Sequence, residues 1–221
     1  MSQPAGAPAP PPAEDRSAAA FYALVDKVVD TPAAEAELHA RFSRTVATLV
    51  VDYTDMVRRT DAHGIAYALG MARKATALLT PPLAERGAVT VKIVADTVFC
   101  IFDDPRAALE GALAARRALL AFNAGRTGCL GHGARNDAIH PCMGLGFGPT
   151  LVVPHHDLFG AETNRAFVLG EDVAGANEVL CTPDFLAAVS PLPAGVGAFA
   201  APGDRVQEAG FAFHVLRDYR D

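Results

Sequence analysis

Residues 88–102 read AVTVKIVADTVFCIF, two runs rich in β-branched residues that flank a break at Val94 to Asp96. That pattern predicts two strands joined by a tight turn, a hairpin. An isolated hairpin is marginal in water, so the rest of the chain must supply further strands and a helical layer to cover it. The flanks read that way. Upstream, Ile65, Leu69, Ala72, Thr76, Leu79 and Leu83 recur at spacings of four and three, one face of a long helix that Pro81 and Pro82 should kink or interrupt and Gly87 should stop. Before it, Thr45 to Asp52 (TVATLVVD) reads as a buried strand that ends on an acid. Downstream, Asp104 and Pro105 open a second helix carrying Leu109, Leu113 and Leu120, which ends in the glycine-rich segment 125–133. Strands follow at Ile139 to Phe147 and Thr150 to Val153, then a helix from Gly160 to Ala174, a strand at Val179 to Thr182, a short helix from Pro183 and a last strand at Phe211 to Leu216. Hairpins interleaved with helices imply an α+β fold, an antiparallel-rich sheet with helices on one face.

The 221 residues suit one domain with appendages, and 51% hydrophobic content is enough for a sizeable core. Residues 1–16 are dominated by Pro and Ala and are expected to be an extended, poorly ordered tail. Two helices, one from Ser17 with Phe21, Leu24, Val25 and Val28 on a stripe and one near Thr31 with Pro32 in its first turn, form an N-terminal helical extension over 17–44. The main domain is then 45–221. A net charge of −6 argues against nucleic acid or an anionic membrane as the main partner. No apolar stretch reaches the roughly 18 to 20 residues of a spanning helix, and the N-terminus lacks the features of a secretory signal. The expected setting is therefore cytoplasmic, with Cys100, Cys129, Cys142 and Cys181 as reduced thiols.

Two acids stand out by position: Asp52 closes the first strand and Asp96 sits at the hairpin turn. Carboxylates at the ends of neighbouring strands can converge on divalent cations and hold a triphosphate. Around them, GAVTVKIVAD (87–96) followed by Phe102, Asp103 and Pro105, then GLGFGPTLVV, then DLFGAETNRAFVLGEDVAGANEVLCTP (157–183), with an Asp three before Gly and seven before Asn, resemble the class III nucleotidyl cyclases. The resemblance covers about residues 45–190 in the family's order and spacing.

The resemblance implies a ferredoxin-like catalytic domain acting as a dimer and converting ATP to cyclic AMP and pyrophosphate. Asp52 and Asp96 match the family's metal-binding aspartates, so two divalent cations, Mg²⁺ or Mn²⁺, are implied. Lys92 and Asp157 match the residues with which adenylate cyclases read the purine edge, and Asn164 the residue that orients the ribose. In such a homodimer the metal acids of one chain face the base and ribose readers of the other; a heteromer with another cyclase chain is the variant arrangement.

Some positions depart from the pattern. Four after Asn164, where the family places an Arg that stabilises transition-state charge, stands Val168, and Arg165 is out of register with it. The phosphate loop, usually a small residue followed by Gly, Phe and Thr, reads Thr54, Asp55, Met56, Val57, and Ala95 replaces the Gly before Asp96. A weak cyclase and a catalytically degenerate, dimeric nucleotide-binding or regulatory module are the two readings this leaves. Gly144, Gly146 and Gly148 precede strand-like sequence rather than a helix, so they fit close backbone approach within a strand pair, not a dinucleotide loop. Cys129, His132, His140 and Cys142 have spacing open to structural zinc, and His155 and His156 flank Asp157.

Overall fold

The computed structural model describes residues 15–126 and 138–219. The 14-residue Pro/Ala-rich start, and with it most of the expected tail, lies outside them, as do Cys129 and His132 of the candidate zinc set. Two helices, α1 (Ala18–Val28) and α2 (Pro32–Phe42), precede the first strand, β1 (Ser43–Tyr53). Helices α3 (Met56–His63) and α4 (Ile65–Ala84) lead to the hairpin β2 (Val89–Val94) and β3 (Thr97–Phe102), then α5 (Pro105–Asn123) and β4 (Pro141–Val153). The second half holds β5 (Asp157–Phe159), α6 (Ala161–Val168), β6 (Val179–Cys181), α7 (Pro183–Val189), β7 (Val196–Ala200), α8 (Val206–Ala209) and β8 (His214–Tyr219). The sheet order is β2-β3-β1-β4-β6-β8-β7 with β5 paired to β4. All neighbours are antiparallel except β4 and β6. The β1-α-β2-β3-α-β4 block with order β2-β3-β1-β4 is the ferredoxin-like arrangement.

Strand β1 is central, and its alternation builds both layers. Ala47, Leu49, Val51 and Tyr53 join Ala75, Leu79 and Leu83 of α4 and Leu109, Ala112 and Leu119 of α5 in the main core. Val46 and Val50 point the other way, into small clusters with Val152 and Leu158 and with Phe99 and Ala166. Buried on both faces, β1 has to be apolar almost throughout.

The helices do not stay on one face as expected. Helix α6 lies against the side opposite α4 and α5, because Gly144, Gly146 and Gly148 strip β4 of side chains there: a Cβ at Gly146 would stand 2.3 Å from the Glu162 carbonyl oxygen. The close approach is thus between strand and helix, not within a strand pair. Beneath α6 the Thr163 hydroxyl lies 3.1 Å from both the Thr48 and Thr150 hydroxyls, so the buried polar atoms satisfy one another.

Four further details differ from expectation. The break at Gly148-Pro149 is absent: β4 is one 13-residue strand whose hairpin partner is β5, and Pro149 sits within the ladder opposite Thr45. The long helix runs through Pro81 and Pro82 to Ala84: the prolines deprive the Ala77 and Leu78 carbonyls of their helical N–H partners, but they fall in the last turn, so little helix remains beyond them to be kinked. Its stripe is also rotated: Ala68, Ala72 and Ala75 are buried, while Ile65 and Leu69 are 58% and 44% exposed. Finally, the expected helix to Ala174 tightens only to Val168 and then widens into a π turn over Leu169–Val173, closed by the Ala174 N–H donating to the Leu169 carbonyl at 2.8 Å.

The N-terminal helices pack on the end of β4 in a separate cluster, Phe21, Leu24, Leu38 and Phe42 with Val153 of β4. Phe21 meets Phe42 edge to face at 5.1 Å and stacks on Phe159 of β5 at 5.5 Å. Helix α2 passes into β1 without an intervening residue. No helix among the described residues is long and apolar enough to cross a membrane.

Candidate active site

The register of β1 against β3 pairs Val51 with Val98, which carries the β2–β3 turn to the end of β1. Thr97, the first residue of β3, donates its hydroxyl to Asp52 Oδ1 at 3.4 Å. Asp52 and Asp96 are both half-buried. Burial, reinforced by the charges of Asp96 and Glu171, pushes the Asp52 carboxyl up to about 6, against the pull of the Tyr53 N–H. Burial likewise raises Asp96, opposed by its own backbone N–H and by Arg59. Two partly desolvated carboxylates that repel one another are a donor set that fits a hard divalent cation. Among the described residues no group of three or more His, Cys, Asp or Glu side chains converges.

The loop between β1 and α3 keeps an unusual backbone. Asp55 has φ 71° and, in the hairpin turn, Ala95 has φ 53°, both in the left-handed region that favours glycine. These are the two positions where the resemblance led one to expect Gly, so the backbone shape persists without it. The added charge of Asp55 is answered by Arg58, whose Nη1 lies 3.3 Å from Asp55 Oδ1. Ala95→Gly should therefore stabilise the protein by about 1 kcal/mol, since the turn already has the conformation glycine adopts freely. A thermal melt that moved down instead would contradict this account of the turn.

A second group gathers in a cavity of about 270 Å³ lined by Lys92, Phe99, Asp157, Thr163, Asn164 and Phe167 among others. Lys92 Nζ is 2.7 Å from Asp157 Oδ1, which also accepts the Leu158 N–H. A bulge explains how a strand residue gets there: β2 slips register between Thr90 and Lys92, so Val91 packs against Leu158 while its neighbour Lys92 reaches the adjacent Asp157. Lys92 Nζ also lies 5.0 Å from the centre of the Phe99 ring, and Phe99 stacks on Phe167 at 5.8 Å. Asn164 is exposed in the first turn of α6, its N–H bonded to the Gly160 carbonyl at 2.9 Å.

The structure thus brings Asp52 to Asp96, and Lys92 to Asp157 and Asn164. Val168 packs against the apolar cluster of Leu169, Val173, Leu180 and Phe213. Arg165 pairs with the buried Glu162 and lies 5.8 Å from the Phe211 ring centre, away from that position. His155 and His156 are exposed, His156 against Tyr22 at 5.7 Å. Of the candidate zinc set, His140 Nδ1 meets Asn177 Nδ2 at 2.9 Å, and burial pushes the Cys142 thiol up to about 12. Sequence reasoning missed Arg59, Glu171 and the Phe99–Phe167 pair. The bulge that aims Lys92 had no signature in the strand pattern.

A crystal structure of an adenylate/guanylate cyclase/hydrolase from Silicibacter pomeroyi matches with a TM-score of 0.64 at 19% identity, over 81% of this chain and 98% of that one. The fold is that of a class III cyclase catalytic domain. The same cyclase fold matches the adenylyl cyclase CyaB from P. aeruginosa (TM-score 0.63, 14% identity, 80% of this chain and 96% of that one). It also matches the guanylate cyclase domain of RhGC from Catenaria anguillulae in complex with GTP (TM-score 0.61, 14% identity, 81% and 98%). No protein-family model and no curated protein matches the chain. The cyclase fold is thus matched at sequence identities of 14% to 19%.

Proposed function

We propose that the chain is a nucleotidyl cyclase that converts ATP to cyclic AMP and pyrophosphate at sites shared between two copies. The observation that supports this most is the Lys92–Asp157 pair held beside Asn164 in one cleft. An ammonium and a carboxylate side by side match the edge of adenine, whose ring nitrogen accepts and whose exocyclic amine donates. The two groups part to admit the base, exchanging one ion pair for two hydrogen bonds, while Asn164 on α6 holds the ribose. Asp52 and Asp96 would hold the divalent cations at the triphosphate end. Bound there, Mg²⁺ or Mn²⁺ would lower the pKa of the attacking 3′-hydroxyl and neutralise charge on the leaving pyrophosphate. The Thr54–Asp55 backbone, with its left-handed turn, borders the same end.

Val168 sets the expected rate. Absence of one preorganised cation costs about 10²- to 10³-fold, so slow turnover is expected. Purified protein, assayed with each of the four nucleoside triphosphates and Mn²⁺, should make cyclic AMP from ATP preferentially. Production of cyclic GMP alone would overturn the base assignment. Val168, packed in an apolar cluster, favours a second reading, a nucleotide-binding regulatory module without chemistry. Nucleotide bound with no cyclic product at high enzyme concentration would select it.

A further inference from the structure

Phe167, on α6, is a large apolar side chain left 40% exposed. One side of its ring is held. It stacks on Phe99 of β3, with ring centres 5.8 Å apart and planes 14° from parallel, and Phe99 is itself only 6% exposed. Phe99 is in turn the register partner of Lys92 across the β2–β3 ladder. The inner ring is thus set by the sheet, and it sets the plane of the outer one.

The part of the Phe167 ring that Phe99 leaves uncovered borders the cleft that also holds Lys92, Asp157 and Asn164. Phe167 stands three residues after Asn164, so the two side chains are neighbours on one face of α6. The cleft volume of about 270 Å³ is below the roughly 300–1,000 Å³ of pockets that enclose a whole ligand. It suits one planar ring system, with the rest of the molecule outside. Lys92, Asp157 and Asn164 can bond the edge of such a ring or its sugar, but none of them offers anything to its face. An exposed, flat aromatic ring does, since every nucleobase has a π face to lay against it.

We propose that Phe167 is a base-stacking residue: the purine of a bound nucleotide lies flat on the outer face of its ring, backed by Phe99, while Lys92 and Asp157 bond the edge of the purine. The proposal rests on the nucleotide-binding reading above. Edge and face then have separate duties. The edge contacts distinguish one base from another, whereas the face contact adds affinity for any base and is indifferent to the phosphates.

The chain contains no tryptophan, so Phe167→Trp places a single indole at the stacking position. Its emission is read during titration with ATP and Mg²⁺ and, separately, with tripolyphosphate and Mg²⁺, a ligand with phosphates and no base. Quenching by ATP and not by tripolyphosphate is expected. Phe167→Leu keeps an apolar side chain but has no π face. In that variant the calorimetric affinity for ATP should fall about tenfold, while that for tripolyphosphate stays at its wild-type value. Unchanged ATP affinity in the Leu variant, or parallel loss for ATP and tripolyphosphate, would make Phe167 a packing residue and overturn the proposal, as would equal quenching of the indole by both ligands. If the Leu variant does not fold, as judged by circular dichroism, the Trp titration decides by its own criterion. Wild-type protein that binds no ATP with Mg²⁺ would overturn the proposed function itself, and this inference with it. Wild-type binding that the Leu variant retains in full overturns only the role of Phe167.

Discussion

Asp52→Asn is expected to abolish cyclic nucleotide formation, by 10³-fold or more, and at the same time to make the protein harder to unfold. Both effects have one origin. In the unfolded chain the carboxyl ionises near its ordinary value of 3.8; in the folded protein burial and the charges of Asp96 and Glu171 move it to about 6. Below about pH 4 the group is protonated in both states, and wild type and variant should melt alike. Between about pH 4 and 6 the unfolded chain gives up its proton first, so the folded state binds more protons and stability falls as pH rises. Above about pH 6 the loss is complete. The whole shift would correspond to about 3 kcal/mol, and solvent screening of this part-exposed group reduces it to about 1–2 kcal/mol. An amide carries none of that cost, so the variant should melt about 2–6 °C higher at pH 7.5 and the gap should close at pH 4. Saturating Mn²⁺ should raise the melting temperature of wild type more than that of the variant. A variant that kept activity, or that melted lower at every pH, would remove Asp52 from the metal site.

Among the described glycines, Gly144 should be the one least tolerant of an added methyl, in Gly144→Ala. A Cβ there would stand 2.0 Å from the Ala166 carbonyl oxygen and 2.6 Å from the Gly170 nitrogen, both backbone atoms of the α6 segment. No rotamer change relieves such a contact, so α6 and its π turn must move bodily away from β4. Overpacking of side chains costs about 1–3 kcal/mol, and displacement of a backbone segment should exceed that, at 3 kcal/mol or more. The movement would also carry Thr163 off Thr48 and Thr150 and shift Asn164 from the cleft. Gly70→Ala makes the matching control: nothing lies within 4 Å of a Cβ there and the position is inside α4, so the melt should hold or rise by up to about 1 kcal/mol. Equal melts for the two variants would contradict the account of how α6 seats on the sheet.

The parts of this fold that were legible in the sequence are those where one local signal suffices. TVATLVVD showed a buried strand, and the flanks of Val94 to Asp96 showed a hairpin, because β-branched runs and turns leave marks within a few residues. The two acids could be placed at strand ends on the same grounds. What was not legible depends on partners distant in sequence. Pro149 looked like a break, yet pairing with Thr45 carries β4 straight through it. The three glycines of β4 looked like a matter between strands, because only the folded chain shows that α6, which starts 13 residues after Gly148, needs that space. The stripe of α4 misled by size: Ile65 and Leu69 were expected inside, but a helix that packs tightly on the alanines of α5 buries alanines of its own. Arg59 gave no signal at all, since an arginine in a polar stretch reads as a solvated face until its carbonyl partners are seen.

The junction between α2 and β1 bears on how the extension and the site relate. Phe42 ends the helix and Ser43 begins the strand, with no loop between them. The strand then runs 11 residues, paired with β4 along its length and with β3 over Ala47 to Val51, to its far end beside Asp52. Helix and strand thus share one continuous backbone, clamped by Phe42 and Val153 where they meet. A loop would absorb torsion applied to the helix; this junction has none. Helix α2 of the extension and the carboxylate 10 residues beyond Phe42 are thus joined by unbroken secondary structure, with no loop between them.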